Sequence, residues 1–273
     1  MMPMKNNVIQ NTSCTRPGMW AWLCAFSFFF ASQASASFYS YATTPGQLAS
    51  NCPSSCNTQN LPVSAKATFD IQAGQMIVTL TNLESNITSV GQNISSLFFT
   101  VNNSSSVLDL SKANVTLSAS LVTITSKTNS YSAGTLNNVP VTSTASSSTH
   151  WTTYGYQPNG TTPLTQNQMG LNDLNGGGQP DQTIIGPGPY NTVNSSIYGN
   201  GPHNPFIQQT ATFTIAAAGL LPTSKVTSVQ IGFGTAPNCN IMHTVPEPGA
   251  LPLFAIGAAA IGAARRKPRR RLA

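Results

Sequence analysis

From residue 65 to residue 234, apolar side chains recur at every second position in short runs separated by Gly, Asn and Ser. Ala67, Phe69 and Ile71 alternate with Thr68 and Asp70, and Met76, Val78 and Leu80 with Thr79 and Thr81. A strand turns successive side chains to opposite faces, so this period commits each run to a half-buried strand. Gly74 lies in the short connection between these two runs, which predicts a hairpin. Residues 97–101, 115–119 and 121–125 are three further candidate strands. Ala211, Phe213 and Ile215 alternate with Thr212 and Thr214, and Val229, Ile231 and Phe233 with Gln230, Gly232 and Gly234. No long segment of this body carries helical apolar spacing. Antiparallel strands with one apolar face need a second layer to cover it. The expected fold is all-β: an antiparallel two-sheet β-sandwich, jelly-roll or Ig-like in general shape, with long loops.

The two ends of the chain read differently. Lys5 and Arg16 precede an apolar run at 19–31, too short to span a bilayer, and Ala34-Ser35-Ala36 follows with small side chains. That order is a secretory signal peptide, with a signal helix, cut between Ala36 and Ser37. The implied partners are the Sec translocon and signal peptidase. At the other end stand Val245, Pro246, Glu247 and Pro248, then an apolar stretch at 249–264, then Arg265, Arg266, Lys267, Arg269, Arg270 and Arg271. Sixteen helical residues cover about 24 Å, less than the ~30 Å of hydrocarbon they would have to cross. The basic cluster would stay cytoplasmic. This short transmembrane helix would halt the chain at the inner membrane in transit. The prolines keep the segment before it extended.

Charge follows the same division. The net charge of +6 comes from the termini; the body sets Lys66, Lys112, Lys127 and Lys225 against Asp70, Glu84, Asp109, Asp173 and Asp181, a net of −1. Nucleic-acid binding needs positive charge on the folded face, so this distribution argues against it. Only 7% of residues are charged, against about a quarter in an ordinary soluble domain, which makes a typical cytosolic enzyme a poor reading.

The order of Pro-Glu-Pro, short apolar helix and basic tail resembles the PEP-CTERM sorting signal of Gram-negative bacteria, also labelled the "ice-binding protein C-terminal" segment. The resemblance implies recognition by an exosortase, a membrane transpeptidase, and cleavage near residues 246–248. It implies delivery of the body to the cell surface or the exopolysaccharide matrix. The stretches ATFDI, QMIVTLTN, SVGQNISSLFFTV, HNPFIQQTATFTI and VTSVQIGFGTAP also look like a recurring β-rich globular part of PEP-CTERM proteins. That likeness brings no catalytic residues with it. The domain plan is then a secretion signal at 1–36, an N-terminal loop segment at 37–62, a body at 63–244 with a long loop insertion near 127–209, and the sorting signal at 245–273.

Several constellations invite chemistry. Trp151, Tyr154 and Tyr156 lie together in the long insertion and would present aromatic faces to a glycan; the structural alternative is a plug beneath the loop. Cys52, Cys56 and Cys239 would remain in an oxidising compartment, where either Cys52–Cys56 or a pairing with Cys239 could form a disulfide. Asp173, Asn175 and Asp181 sit beside glycines, as in a calcium loop, but without the further acids and the Glu at position twelve of an EF-hand. They read as a turn, and neither a metal nor a cofactor is expected. His203, in Gly201-Pro202-His203, reads as a loop residue with a structural hydrogen bond. Asn-x-Ser/Thr triplets, among them those at Asn86, Asn93, Asn102, Asn114, Asn159 and Asn194, match the glycosylation acceptor pattern. There is no Gly-x-Ser-x-Gly and no paired carboxylate pattern. The expected function is a non-enzymatic exported protein with an adhesive or biofilm-matrix role. The alternatives are a carbohydrate-binding surface module that contacts extracellular polysaccharide, and a surface hydrolase using a histidine. The ice-binding label finds no regular Thr-x-Thr array to support it.

Overall fold

A computed structural model describes residues 36–49, 60–157, 161–174, 180–235 and 241–246. The signal segment up to Gln33, the cysteines at 52, 56 and 239, and everything from Glu247 onward lie outside the described residues. Among the described residues no helix is long and apolar enough to cross a membrane.

Among the described residues fifteen strands follow in chain order: β1 (Ser37–Ala42), β2 (Leu48–Ala49), β3 (Leu61–Pro62), β4 (Ala65–Gln72), β5 (Gln75–Asn82), β6 (Ile94–Asn102), β7 (Asn114–Ser126), β8 (Asn129–Val141), β9 (Thr152–Tyr154), β10 (Gln168–Asn172), β11 (Ile184–Ile185), β12 (Phe206–Ala216), β13 (Lys225–Phe233), β14 (Ile241–His243) and β15 (Val245–Pro246). The alternation seen in the sequence is the burial pattern of the fold. Ala67, Phe69, Ile71, Met76, Val78, Leu80, Ala211, Phe213 and Ile215 are all fully buried. The β4–β5 hairpin turns at Ala73-Gly74, where Gly74 has φ 77°, a left-handed conformation that costs glycine little.

Thirteen strands join in one continuous sheet, and β2 and β3 pair separately. The expected β-rich character holds, with the strands gathered in one large mixed sheet. One run is β8-β7-β12-β5-β4-β1-β15, antiparallel throughout. A second antiparallel run is β14-β13-β6-β10-β9. The two-residue β11 joins them: Ile184 pairs with Ile94 of β6 and, in parallel, with Ile207 of β12. The sheet bends back on itself around this joint. The Phe69 ring of β4 meets the Phe99 ring of β6 edge-on at 5.1 Å, although three other strands lie between β4 and β6 along the sheet. Tyr39 and Tyr41 of β1 donate their hydroxyls to the carbonyls of Ser224 and Val226, the latter in β13. The apolar core fills the space so enclosed. Each large apolar side chain buried there contributes about 1.5–3 kcal/mol.

The stretch expected as a long loop insertion is more ordered than that. It holds the thirteen-residue β8 as well as β9, β10 and β11. Its apolar residues form a second cluster, in which Ile185, Tyr190, Val193, Ile197 and Phe206 pack with Ile87, Val90, Val122 and Ile124. The two candidate strands at 115–119 and 121–125 are one strand, β7, with breaks in its register against β8.

Candidate functional site

Three places on this frame bear on function: the ends of the body, the aromatic surface beside β9, and a buried polar pocket where β6, β10 and β11 meet.

At the ends, Ala36 is exposed and Ser37 opens β1, its hydroxyl donating to the Pro222 carbonyl. β1 pairs with β15, setting Tyr41 opposite Pro246 and Ala42 opposite Val245. The residue expected to begin the mature chain and the residues leading into Pro-Glu-Pro therefore share one edge of the sheet. Val245 and Pro246 are both exposed. Ala34, Glu247, Pro248 and the six basic residues from Arg265 to Arg271 lie outside the described residues.

At β9 the structure divides the aromatic triad. Trp151 is fully buried: its ring lies 5.1 Å from that of Phe213 and its Nε1 donates to the Gln182 carbonyl at 2.9 Å. It belongs to the core, so it cannot offer a face to a glycan, which corrects that expectation. Tyr154 is half-buried against Phe98, at 6.1 Å, and Tyr156 is exposed, 5.8 Å from Tyr154. Beside Tyr154 opens a cleft of about 210 Å³ lined by Thr153, Gly155, Leu164 and Gln168. Leu164 also borders a broader, open groove of about 780 Å³ whose walls carry Asn102, Asn103, Thr165, Gln166 and Asn167. This surface offers amides and hydroxyls with no charged side chain among its lining residues.

In the sequence the third place showed only as the Asp173–Asp181 turn, without Asn93, Ser95 or the histidines that the fold brings near it. Asp173 follows β10 and donates its backbone N–H to the Ser95 carbonyl at 2.9 Å. It is 1% exposed, and neither carboxylate oxygen has a hydrogen-bond partner. Burial pushes its carboxyl well above the ordinary range, and the nearby Asp181 carboxylate adds to the effect. Asp181 is also raised by burial, while His150 and His203 act in the opposite direction. His150 Nδ1 lies 2.5 Å from Asp181 Oδ1, an ion pair when the imidazole is protonated. His150 N–H and Trp151 Nε1 both reach Gln182, which has a left-handed backbone at φ 64°. His203 is buried in the Gly201–His203 turn, with Nδ1 2.7 Å from the Pro180 carbonyl, the structural hydrogen bond expected of it. Asn93 is fully buried as well, which removes it as a glycosylation acceptor. Among the described residues no three His, Cys, Asp or Glu side chains group as a metal-binding set.

Residues 244–270 match the family model of the PEP-CTERM protein-sorting motif. The chain carries a PEP-CTERM sorting motif. Such a motif marks a protein that an exosortase sorts to the cell surface. The match begins at Thr244, next to β15, so the PEP-CTERM segment starts where the described body ends. No curated protein and no solved structure matches the chain.

Proposed function

We propose that this is a non-enzymatic surface protein whose β-rich body serves adhesion or the structure of the extracellular polysaccharide matrix once the exosortase has removed the tail. The PEP-CTERM motif carries this reading, because it couples an exported body to a release step. On the same reading the chain passes the Sec translocon and signal peptidase, rests briefly at the inner membrane of a Gram-negative cell, and then reaches the surface. We read the two strand runs joined at β11 as the layers of a β-sandwich, a rigid spacer suited to such a role. Separate mass tags on the body and on residues 265–273 test it in producing cells. The body should reach the surface material without the tail tag; tags that still travel together on mature surface material would end the proposal.

A second reading has an observation of its own. The half-buried Tyr154, the exposed Tyr156 and the amide-lined groove beside them suit the apolar faces and hydroxyls of a neutral polysaccharide. Glycan-array binding that falls on Tyr156→Ala supports it, and an array silent for the unaltered protein rejects it.

A further inference from the structure

The pocket around Asp173 holds the polar atoms that the fold buries and leaves unanswered. Among the described residues, the buried side-chain oxygens and nitrogens with no hydrogen-bond partner are Asn93 Oδ1, Ser95 Oγ, Asp173 Oδ1 and Oδ2, and Asp181 Oδ1. All are oxygens, and all belong to four residues brought to one end of the core. A buried polar group without a partner costs stability, and a buried carboxylate costs most. Such atoms rarely gather by accident in a native fold.

Register places them together. β10 pairs with β6 so that Asn172 faces Ser96. The next pair along is Asp173 and Ser95, which the Asp173 N–H to Ser95 carbonyl bond fixes. Directly opposed residues of an antiparallel pair project their side chains to the same face, about 4.5–5.5 Å apart at Cβ. Asn93 stands just before β6, where a register break opposite Gly232 and Phe233 interrupts strict alternation, and its side chain turns toward Thr183, two residues past Asp181. Its amide nitrogen is taken by Thr183 Oγ1 at 3.1 Å, which leaves Oδ1 as the open atom. Asp181 comes from the segment before β11 and lies near enough for its charge to act on Asp173. Of the nitrogen ligands nearby, His203 Nδ1 faces the Pro180 carbonyl, and His150 Nδ1 stands 2.5 Å from Asp181 Oδ1, itself one of the oxygens of the site.

We propose that Asp173, Asp181, Asn93 and Ser95 form a binding site for one calcium ion. Two carboxylates, an amide oxygen and a hydroxyl are hard donors. They suit calcium better than zinc, which favours nitrogen and sulfur, or magnesium, which keeps most of its water. The ion would neutralise the two acids and answer the orphaned amide and hydroxyl in one step. It would tie β6, β10 and the approach to β11 together, at the joint between the two strand runs. The inference stands apart from the surface role proposed above, since it needs only the folded body.

The test uses the full chain purified in detergent and stripped with a chelator. Calorimetric titration with calcium chloride should show uptake of one ion per chain, and the melting temperature should rise saturably with calcium but not with magnesium. Asp173→Asn should weaken binding by at least about ten-fold, as loss of a charged ligand from an oxygen site does. It should not lower the melting temperature in chelator, because it removes an unpaired buried charge. Ser95→Ala should weaken binding less, and Asp109→Asn, on the surface, should leave it unchanged. No uptake up to about 10 mM, ten times the weakest affinity of extracellular calcium modules, would overturn the proposal. So would full binding by both Asp173→Asn and Ser95→Ala. A melting temperature that answers to acid and never to calcium would assign the pocket to a shared proton instead.

Discussion

Asp173 sets the response of the calcium-free protein to pH. Burial and the charge of Asp181 raise its folded carboxyl above the ordinary value, so the folded state holds this proton more tightly than the unfolded chain does. The corresponding stability is present at and below the ordinary carboxyl range and is lost as pH rises through the folded value. The groups facing Asp173 are Asp181, itself raised by burial, and through it His150 and His203. Asp109 works the other way: its Ser111 and Lys112 partners lower it, so its contribution disappears only below the ordinary range. In chelator, therefore, the melting temperature should climb as the buffer is moved from neutral to mildly acidic, and Asp173→Asn should flatten that climb. Differential scanning calorimetry reads both, and a melting temperature that falls over the same interval contradicts the assignment. A residue-level prediction follows for the aromatic pair as well. Trp151→Ala should cost about 3–5 kcal/mol in a denaturant melt, because it empties the core beside Phe213. Tyr156→Ala, at 45% exposure, should stay within about 0.5 kcal/mol.

Among the elements, the hairpin of β4 and β5 and the strands β12 and β13 were legible because each buries chiefly one face, so burial is written into the alternation of Phe, Ile, Val and Thr; β6, buried on both faces, showed instead as the apolar run at 97–101. β8 was not legible. It is exposed along nearly its whole length, so Ser, Asn, Thr and Gly occupy both of its faces and leave no period to read. β11 was hidden for a different reason: two residues are too few for a pattern, and its role comes from partners in β6 and β12. The triad at Trp151 showed its chemistry but not its burial, which depends on Phe213 sixty-two residues away. The polar pocket depends on the same kind of distance, since Asn93 and Ser95 meet Asp173 and Asp181 only through sheet register. The β11 joint also has a steric signature. A Cβ on Gly186 would stand 2.0 Å from the Glu84 carbonyl oxygen and 3.0 Å from Ile87 Cδ1. Backbone on one side and buried side chain on the other leave no room to yield. Gly186→Ala should then exceed the ~0.5–3 kcal/mol of a usual point substitution, whereas Gly155→Ala, with open space around it, should be mild. Equal urea midpoints for the two variants would refute this account of the joint.

At the scale of the whole molecule, the two ends of the body lie side by side but are held very differently. β1 is part of the structure's closure: Tyr41 is buried, its ring stands edge-on to Phe69 at 5.9 Å, and its hydroxyl reaches across to β13. β15 is two exposed residues on the outer edge of β1, and one of them is Pro246, which has no N–H to donate. Losing β15 removes one or two exposed backbone hydrogen bonds, about 1 kcal/mol or less. Losing β1 opens the core and strands the Ser224 and Val226 carbonyls that Tyr39 and Tyr41 satisfy. Residues 245–246 can thus be cut away with the body unharmed, whereas the chain cannot be trimmed past Tyr39 and Tyr41 without opening the core. A chain ending at Thr244 should melt in urea close to the full-length protein, and a chain beginning at Thr43 should lose most of its cooperative transition. If the two truncations weaken the protein equally, the edge strand before Pro-Glu-Pro is an integral part of the fold, and removal of the PEP-CTERM segment would have to be coupled to unfolding.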